Sequence, residues 1–276
     1  MSELIRRTLY RLACLPYRRR QLEDVPGAWY TLPQPHLWAY AGGGHLHHYG
    51  NSQEAIDESI RRGFKVIEID VCQTSDGVPV LSHFFKPDNR VEWSHVPTAL
   101  EFKKQLVNGK FHSLTLAEIF DRYGGWDGWF CIDPFYYHCQ VQGGEAVLSR
   151  WLVENLSPIQ RRRVILQIYS LRQLRRLVGN RAFGAFHYVF GGGLHNGNHW
   201  RVRPIIPLLT QVGVRSVSFQ DTELTPGVCR AIEDLRSTGI RVSVAGVNSW
   251  PRYREVRAAG VDTVNTMDLL PEDYHD

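Results

Sequence analysis

From residue 37 onward, the chain alternates short β-rich runs with amphipathic helical stretches, and this alternation limits the fold more than any other feature. Strands separated by helices are typical of parallel βα units. A short extra strand is predicted near Val78–Leu81, in addition to eight main strands. The main strands are predicted near Leu37–Ala41, Lys65–Val71, Trp129–Asp133, Arg163–Ile168, Ala185–Val189, Ser216–Phe219, Arg241–Ala245 and Thr263–Asn265.

The helices between these strands have recognisable starts. Serine or threonine stands at the N-cap position of several of them, and proline stands in the first turn of others. The predicted starts lie near Ser52, Thr115, Gly144, Ser170, Pro204, Thr225 and Ser249. Eight strands with intervening helices favour a closed (β/α)₈ TIM barrel of the α/β class, and a doubly wound open sheet is the alternative.

The length and composition fit one globular domain. The 276 residues are 43% hydrophobic and 22% charged, which is ordinary for a folded protein. A TIM barrel routinely takes about 250 residues as a single domain. We therefore expect a barrel domain over residues 31–276, preceded by a basic N-terminal helical arm over residues 1–30.

The cysteines and the N-terminus bear on the compartment. The chain has five cysteines, an odd number, without Cys-x-x-Cys spacing, which argues against a disulfide framework and against a structural zinc site. It also lacks a run of about 18 apolar residues and the pattern of a signal peptide. These features predict reduced thiols and a cytoplasmic location.

The N-terminal arm is basic, although the whole chain has a net charge of only +4. Its first twenty residues carry one acid, Glu3, against six arginines, and its large apolar residues recur near helical spacing. Two interpretations are open: a solvated helix that packs on the barrel, and a helix that lies on an anionic membrane surface. The arginines are Arg6, Arg7, Arg11, Arg18, Arg19 and Arg20, and the apolar residues are Leu4, Ile5, Leu9, Leu12 and Leu15.

Two acidic residues interrupt the apolar second strand. Glu68 and Asp70 are two residues apart, so their side chains share one face of the strand. Neighbouring buried carboxylates repel each other unless a cation compensates them, which makes a hard divalent ion such as Mg²⁺ or Ca²⁺ the natural partner. Asp133 at the end of the third strand can supply a third ligand. The competing interpretation is an ordinary pair of surface acids.

Histidines and glycines follow predicted strands at the end where a parallel barrel carries its active site. His83 comes after a predicted tight turn at Asp76-Gly77 and a short strand. A histidine in that place can serve as a general acid or base because the ordinary pKa of histidine lies near neutrality. The first strand runs into the glycines of residues 42–44, whose amides can approach a phosphate. The histidines that follow, His45, His47 and His48, are either functional groups or flexible loop residues.

Taken in chain order, these motifs resemble the glycerophosphodiester phosphodiesterase superfamily, whose TIM barrels are similar to phosphatidylinositol-specific phospholipase C. Members typically have a first strand that ends in His-Arg-Gly or His-Ala-Gly-Gly and an Asn-Ser helix start. These are followed by Glu-x-Asp on the next strand and by Asp-Gly-x-Pro-Val with a histidine at the end of its strand. An acid stands at the end of a later strand. The corresponding runs here are Ala39–Gly43, Asn51–Ala55, Glu68–Asp70, Asp76–Val80, His83 and Asp133.

The resemblance implies a metal that neutralises a phosphodiester, one histidine that activates a nucleophile and another that protonates the leaving oxygen. The expected site then comprises metal ligands, catalytic groups and substrate-binding residues. The metal ligands are Glu68, Asp70 and Asp133, the catalytic groups are His83 and Tyr40, and the substrate-binding residues are Gly42, Gly43, His45 and Asn51.

The chain departs from the family pattern at several charged positions. Tyr40 stands where members have their first catalytic histidine, and Ala41 stands where an arginine commonly follows it. Gly50 and Phe135 replace a usual glutamate and a usual lysine. Two substitutes for the missing acid–base group are open: Tyr40 itself, and one of the loop histidines.

The motifs favour a metal-dependent hydrolase in lipid metabolism, acting on a glycerophosphodiester, a lipid headgroup or a phosphodiester-linked polymer. The alternative is a catalytically impaired barrel that binds a phospholipid or phosphosugar without hydrolysing it. Nucleic acid is not expected as a partner, because no recognised binding motif accompanies the basic residues. The expected partners are thus a small-molecule or lipid phosphodiester and, through the arm, the periphery of a membrane.

Overall fold

The computed structural model describes residues 3–14, 36–43, 50–83, 95–106, 109–135, 144–176, 182–191, 193–194 and 198–274. Nine strands lie within these ranges. They are β1 (Leu37–Ala39), β2 (Val66–Gln73), β3 (Pro79–Leu81), β4 (Trp129–Asp133), β5 (Val164–Ile168), β6 (Ala185–Val189), β7 (Ser216–Gln220), β8 (Arg241–Ala245) and β9 (Thr263–Thr266).

Ten α-helices lie in the same ranges, most of them between consecutive strands. They are α1 (Glu3–Ala13), α2 (Gln53–Arg61), α3 (Ala99–Lys104), α4 (Leu116–Arg122), α5 (Gly144–Asn155), α6 (Pro158–Arg161), α7 (Leu171–Arg176), α8 (Val202–Val212), α9 (Pro226–Arg236) and α10 (Trp250–Ala258). Among the described helices, none combines the length and the apolar character that a membrane span requires.

The strands form a closed parallel barrel, as predicted. Their order is β1-β9-β8-β7-β6-β5-β4-β2, and a further pairing of β1 with β2 closes the ring. The open-sheet alternative is therefore wrong. Strand β3 is an addition to the barrel, because it pairs antiparallel with the last residues of β2 through a hairpin. The turn of that hairpin contains Asp76 and Gly77, where the sequence predicts a tight turn.

The strand and helix boundaries agree with the sequence predictions at most positions because the capping signals are genuine. Serine or threonine side chains accept a hydrogen bond from the first turn of α2, α3, α4, α6, α9 and α10. The predicted strand Leu37–Ala41 is too long. It ends at Ala39 because the chain turns into a 3₁₀ helix over Tyr40–Gly42, in which Ala41 has a φ of 50°.

By their contacts, the residues divide into two compact units. We call them the β1–β4 unit, which includes α2 to α6 and most of β5, and the β6–β9 unit, which includes α1 and α7 to α10. The predicted division into an arm of residues 1–30 and a barrel of residues 31–276 stays a prediction, and residues 15–35 of it lie outside the described residues.

The core of the β1–β4 unit forms around β2, in which every residue but the last is buried. Helix α2 covers it with the buried side chains of Ala55 and Ile56, and the Phe120 ring of α4 packs edge-on against Phe130 of β4, 5.7 Å between centroids. Such continuous burial is typical of strands in parallel barrels. The unit therefore holds the end of β2 rigidly.

The core of the β6–β9 unit comes from apolar stripes at helical spacing. Helix α8 buries one such stripe and α9 another, against strands that are themselves largely buried. The stripes are Ile205, Leu208, Leu209 and Val212 on α8, and Val228, Ala231, Ile232 and Leu235 on α9.

Candidate metal centre and active site

Three carboxylates meet where β2 and β4 run side by side. Glu68 and Asp70 lie on β2, and Asp133 is the direct register partner of Asp70 on β4. Each offers an oxygen, and these oxygens all lie within 4.8 Å of one another. Glu68 and Asp70 are each only 1% exposed, whereas Asp133 is half-buried. The structure thus brings the three predicted metal ligands together, with one side accessible at Asp133.

Burial and mutual repulsion make this cluster unfavourable as three bare anions. Burial raises the pKa of Glu68 well above its usual range, and the charges of Asp70 and Asp133 raise it further. Burial also raises the pKa of Asp70 to about 6. A divalent ion offsets this repulsion, and three carboxylate oxygens are the donors that Mg²⁺ and Ca²⁺ prefer. The residues therefore fit such an ion.

Asn51 holds Asp70 from two directions. Its Nδ2 donates to Asp70 Oδ2 at 2.8 Å, and its Oδ1 accepts from the Asp70 backbone amide at 2.9 Å. Asn51 is buried and adopts a φ of 61°, which asparagine tolerates better than most residues. The hydrogen bond that Nδ2 donates favours the ionised Asp70 carboxylate and opposes the effect of burial on its pKa. Asn51 therefore fixes the orientation of a predicted metal ligand.

Glu68 is held by a backbone amide of the turn that follows β1. The Ala41 amide donates to Glu68 Oε2 at 2.6 Å. Ala41 reaches this position only with a left-handed backbone, φ 50° and ψ 44°, which is uncommon for a residue with a Cβ. Its carbonyl in turn accepts from the Asn51 amide at 2.7 Å. Ala41 therefore links the two carboxylates of β2, because its amide binds Glu68 and its carbonyl binds Asn51, which in turn holds Asp70.

The glycine after Ala41 is required by the close approach of two loops. Gly42 has a φ of 80°, and a Cβ on it would lie 3.1 Å from the Asn51 amide nitrogen. Its carbonyl accepts from Ser59 Oγ of α2 at 3.0 Å, while the Gly43 amide donates to the Tyr40 carbonyl at 2.8 Å. The turn is therefore anchored to α2 and closed on itself.

The hairpin strand β3 brings the chain back to Asp70. The Ser82 amide donates to the Asp70 carbonyl at 3.1 Å, and Cys72 Sγ donates to the His83 carbonyl at 3.6 Å. His83 is half-buried and directly follows Ser82 in the chain. The predicted catalytic histidine thus lies beside the end of β2 that carries the acids.

The predicted site residues fall into two groups. Tyr40, Gly42, Gly43 and Asn51 belong to the turns that hold Glu68 and Asp70, and His83 follows β3 in the same unit. His45, like the neighbouring His47 and His48, lies outside the described residues.

Sequence reasoning missed two supporting groups, the Ala41 amide and the Ser59 hydroxyl. No sequence signal distinguishes one backbone amide of a glycine-rich turn from the next. Ser59 had a signal, because it follows Ala55 at helical spacing on the buried face of α2, where a hydroxyl needs a partner. A buried serine on an apolar helix face was thus a usable indication of a loop anchor.

Comparisons with known proteins identify a family for this sequence. The sequence model of the glycerophosphoryl diester phosphodiesterase family matches residues 41–268. Among curated proteins, no sequence relative matches the chain significantly.

Several solved structures share the fold at low sequence identity. One is a glycerophosphoryl diester phosphodiesterase from Parabacteroides distasonis, with 16% identity, a TM-score of 0.65 and 90% of each chain covered. Another is an Oleispira antarctica phosphodiesterase in complex with the product sn-glycerol-3-phosphate, with 17% identity, a TM-score of 0.65 and coverage of 87% of this chain and 95% of that one. A third, from Thermotoga maritima, has 19% identity, a TM-score of 0.63 and coverage of 84% and 94%.

Proposed function

Since the chain belongs to the glycerophosphoryl diester phosphodiesterase family, whose members are phosphodiester hydrolases, we propose that it hydrolyses glycerophosphodiesters with a divalent metal held by Glu68, Asp70 and Asp133. The observation that carries the proposal is the convergence of these three carboxylates, two of them fully buried, at the ends of adjacent parallel strands. Substrates of this class include free glycerophosphodiesters, lipid headgroups and phosphodiester-linked polymers.

The residues around the carboxylates fix their geometry. Asn51 orients Asp70 through two hydrogen bonds, and the Ala41 amide keeps Glu68 oriented as an acceptor. When bound, Mg²⁺ or Ca²⁺ would supply a positive charge that offsets the negative phosphodiester. Ligands that are already held in position are important because their geometry has to change little during the reaction.

Proton transfer is assigned to His83 and Tyr40. In this proposal, an imidazole nitrogen of His83 accepts the proton of the attacking water. The hydroxyl of Tyr40, which stands at the position of the family's first histidine, donates a proton to the leaving oxygen. Phenol is a weaker acid than imidazolium, so this enzyme works more slowly than a member with both histidines. A loop histidine at 45, 47 or 48 is the alternative donor.

The test is hydrolysis of a panel of glycerophosphodiesters and lysophospholipids with Mg²⁺ or Ca²⁺, beside EDTA. We expect metal-dependent turnover that falls by about 10²–10⁴-fold in His83→Ala and in Tyr40→Phe. Glu68→Gln removes metal binding and turnover together. The matched control, Asp121→Asn, changes an exposed acid of α4 and should leave both unchanged. If Glu68→Gln still binds metal and turns over, the ligand assignment is wrong.

A second function, ligand binding without hydrolysis, is favoured by the residues that replace charged groups of the family. Tyr40 and Ala41 occupy the histidine and arginine positions, and the 41% exposed Phe135 occupies that of a lysine close to Asp133. The variant Tyr40→His separates the two functions. Metal-dependent binding of glycerophosphodiester without turnover, together with turnover gained in Tyr40→His, would support the binding protein.

We also propose that the protein lies in the cytoplasm, in peripheral contact with a membrane through its N-terminal arm. The odd number of cysteines, without Cys-x-x-Cys spacing, supports a reducing compartment. Fractionation of cells that produce the tagged protein tests this placement. A secreted protein with oxidised cysteines would contradict it.

A further inference from the structure

Helix α1 is fixed to the β6–β9 unit through one face. Tyr10 and Cys14, one helical turn apart, point into the unit, and Cys14 is 1% exposed. The Tyr10 ring packs edge-on against Trp200 at 5.5 Å between centroids, and the guanidinium of Arg7 lies 5.2 Å from the same indole. Arg175 of α7 closes the end of the helix by donating to the Ala13 carbonyl. The helix is therefore held in a defined rotation.

The opposite face of α1 presents large apolar side chains to the surroundings. At about 100° per residue, the centre of this face lies across the helix axis from Tyr10 and Cys14. Arg6 and Arg11 border it on either side by the same geometry. The apolar residues and their exposed fractions are Leu4 75%, Ile5 50%, Leu9 52% and Leu12 57%.

A cavity of about 560 Å³ adjoins the helix on the Arg11 side and is formed within the β6–β9 unit. Three arginines line it, Arg11, Arg203 and Arg230, against one carboxylate, Asp234. Asp234 is engaged by Arg203 at 2.7 Å, so the other two guanidinium groups leave the lining positive. Its volume is within the range of small-molecule sites. Arg11 therefore contributes both to the border of the apolar face and to the cavity.

We propose that α1 docks this protein on an anionic phospholipid surface, with the apolar face in the interfacial layer and one headgroup phosphate in the arginine-lined cavity. An exposed apolar stripe bordered by arginines is the pattern of helices that lie in a membrane interface. The arginines are complementary in charge to acidic lipids. A zwitterionic surface would use only the apolar face. This inference rests on the proposed membrane contact, but not on hydrolysis.

The first experiment measures binding of the full chain to vesicles of phosphatidylcholine alone and of equimolar phosphatidylcholine and phosphatidylserine. We expect preference for the anionic vesicles and weaker binding at high salt. Leu9→Glu should weaken binding roughly 10- to 100-fold, because an apolar side chain leaves the interface. The matched control is Ile159→Glu on α6, a position that is 68% exposed, and it should bind like the wild type.

The second experiment tests the cavity. Arg11→Gln with Arg230→Gln should remove the preference for phosphatidylserine while the residual binding to phosphatidylcholine persists. Arg254→Gln, which changes an exposed arginine of α10, should keep the preference. Soluble glycerophosphoserine should compete with anionic vesicles for the wild type only.

Three outcomes would overturn the inference. Leu9→Glu binding like the wild type would show that the apolar face does not enter the interface. A dimer that Leu9→Glu dissociates, without effect on vesicle binding, would show that the face meets a second copy. Retention on nucleic acid but not on vesicles would assign the arginines to that partner. Hydrolysis of a soluble glycerophosphodiester by Leu9→Glu is measured beside these assays, so a failure of docking is distinguishable from a failure of the proposed enzyme.

Discussion

At the scale of single residues, Asn51 has the largest expected effect of the residues outside the three proposed metal ligands. It satisfies both the backbone amide and the carboxylate of Asp70, and both are buried. Its own φ of 61° adds a preference for asparagine over alanine. Loss of this side chain leaves two polar groups of Asp70 without their partner.

Asn51→Ala should lower the free energy of unfolding by about 1–3 kcal/mol, the cost of buried polar groups that lose their partner. It should also weaken metal binding by about 10- to 100-fold, as loss of a group that orients a ligand typically does. Urea unfolding in EDTA measures the first effect and titration calorimetry with Mg²⁺ or Ca²⁺ the second. Asn155→Ala, at an exposed position at the end of α5, should change neither.

Ala41 is the residue whose backbone conformation is least ordinary for its side chain. Ala41→Val should lower the free energy of unfolding by about 1–3 kcal/mol, because a β-branched residue is strained at φ 50°. Ala41→Gly should be tolerated, since glycine adopts this conformation freely. Chemical denaturation of both variants checks the pair, with Ala258→Val on α10 as a control. Equal losses in the valine and glycine variants would contradict the strain at this position.

At this scale, the sequence predicts side chains much better than backbone groups. The spacing of Glu68 and Asp70 predicts a shared face because a strand has a period of two. The donor to Glu68 is the amide of Ala41, and its position depends on a left-handed turn that alanine does not signal. Tyr40 was identified only by resemblance, since a tyrosine after a strand indicates no chemistry by itself.

At the scale of elements, capping and turn chemistry decide where most helices and strands begin and end. Thr225 illustrates the capping, because its side chain accepts from the Val228 amide and Pro226 occupies the first turn of α9. These signals are local, so they are readable from the sequence. The end of β1 is not determined by a local signal. It depends on the contact of the Ala41 carbonyl with Asn51, ten residues later in the chain.

Thr225→Ala should lower the free energy of unfolding by about 0.5–2 kcal/mol, because α9 loses the acceptor for one of its free amides. Thermal or urea unfolding measures the change. Thr210→Ala, at an exposed position in α8, serves as the control and should shift stability by less than about 0.5 kcal/mol. A loss in Thr210→Ala as large as that in Thr225→Ala would mean that the cap is not the cause.

At the scale of the whole molecule, the buried acids connect the proposed metal binding with folding stability. In the unfolded chain, Glu68 and Asp70 release their protons near pH 4 or a little above. In the folded, metal-free protein, both pKa values are raised, that of Asp70 to about 6. At pH values between the unfolded-state and the folded-state pKa values, the folded state holds more protons than the unfolded state. Its free energy of unfolding therefore decreases as pH rises through this window.

A divalent ion should reverse that decrease. We expect Mg²⁺ or Ca²⁺ to raise the melting temperature more at about pH 7.5 than at about pH 5, where protons compete for the carboxylates. At a metal concentration of 100 times Kd, the stabilisation would be about 2.7 kcal/mol. Glu68→Gln should lose most of the increase in melting temperature that the metal produces. In EDTA, its free energy of unfolding should fall less than that of the wild type as the pH rises to neutrality. A metal effect that is equal at both pH values would argue against binding at these acids.

The whole barrel was the easiest part to predict, because alternating strands and helices in sufficient number admit few other folds. The short hairpin strand β3 was also recognisable from the Asp76-Gly77 turn. The rotation of α1 about its own axis could not be predicted from the sequence. Its outward apolar face follows from the contacts of Tyr10 and Cys14 with the β6–β9 unit, and helical periodicity alone would more readily have placed the leucines against the barrel.

The pairing of Asp70 with Asp133 across β2 and β4 gives the site a further property. The two acids lie directly opposite each other in the observed register of the two strands, and a slip by one residue would turn the shifted side chain to the other face. With the proposed metal bound at these acids, a chain whose β2 and β4 are shifted by one residue would lack the third ligand and would gain less stabilisation from the ion. In a cell that contains the metal, mass action would then favour the correctly registered barrel over forms with shifted strands.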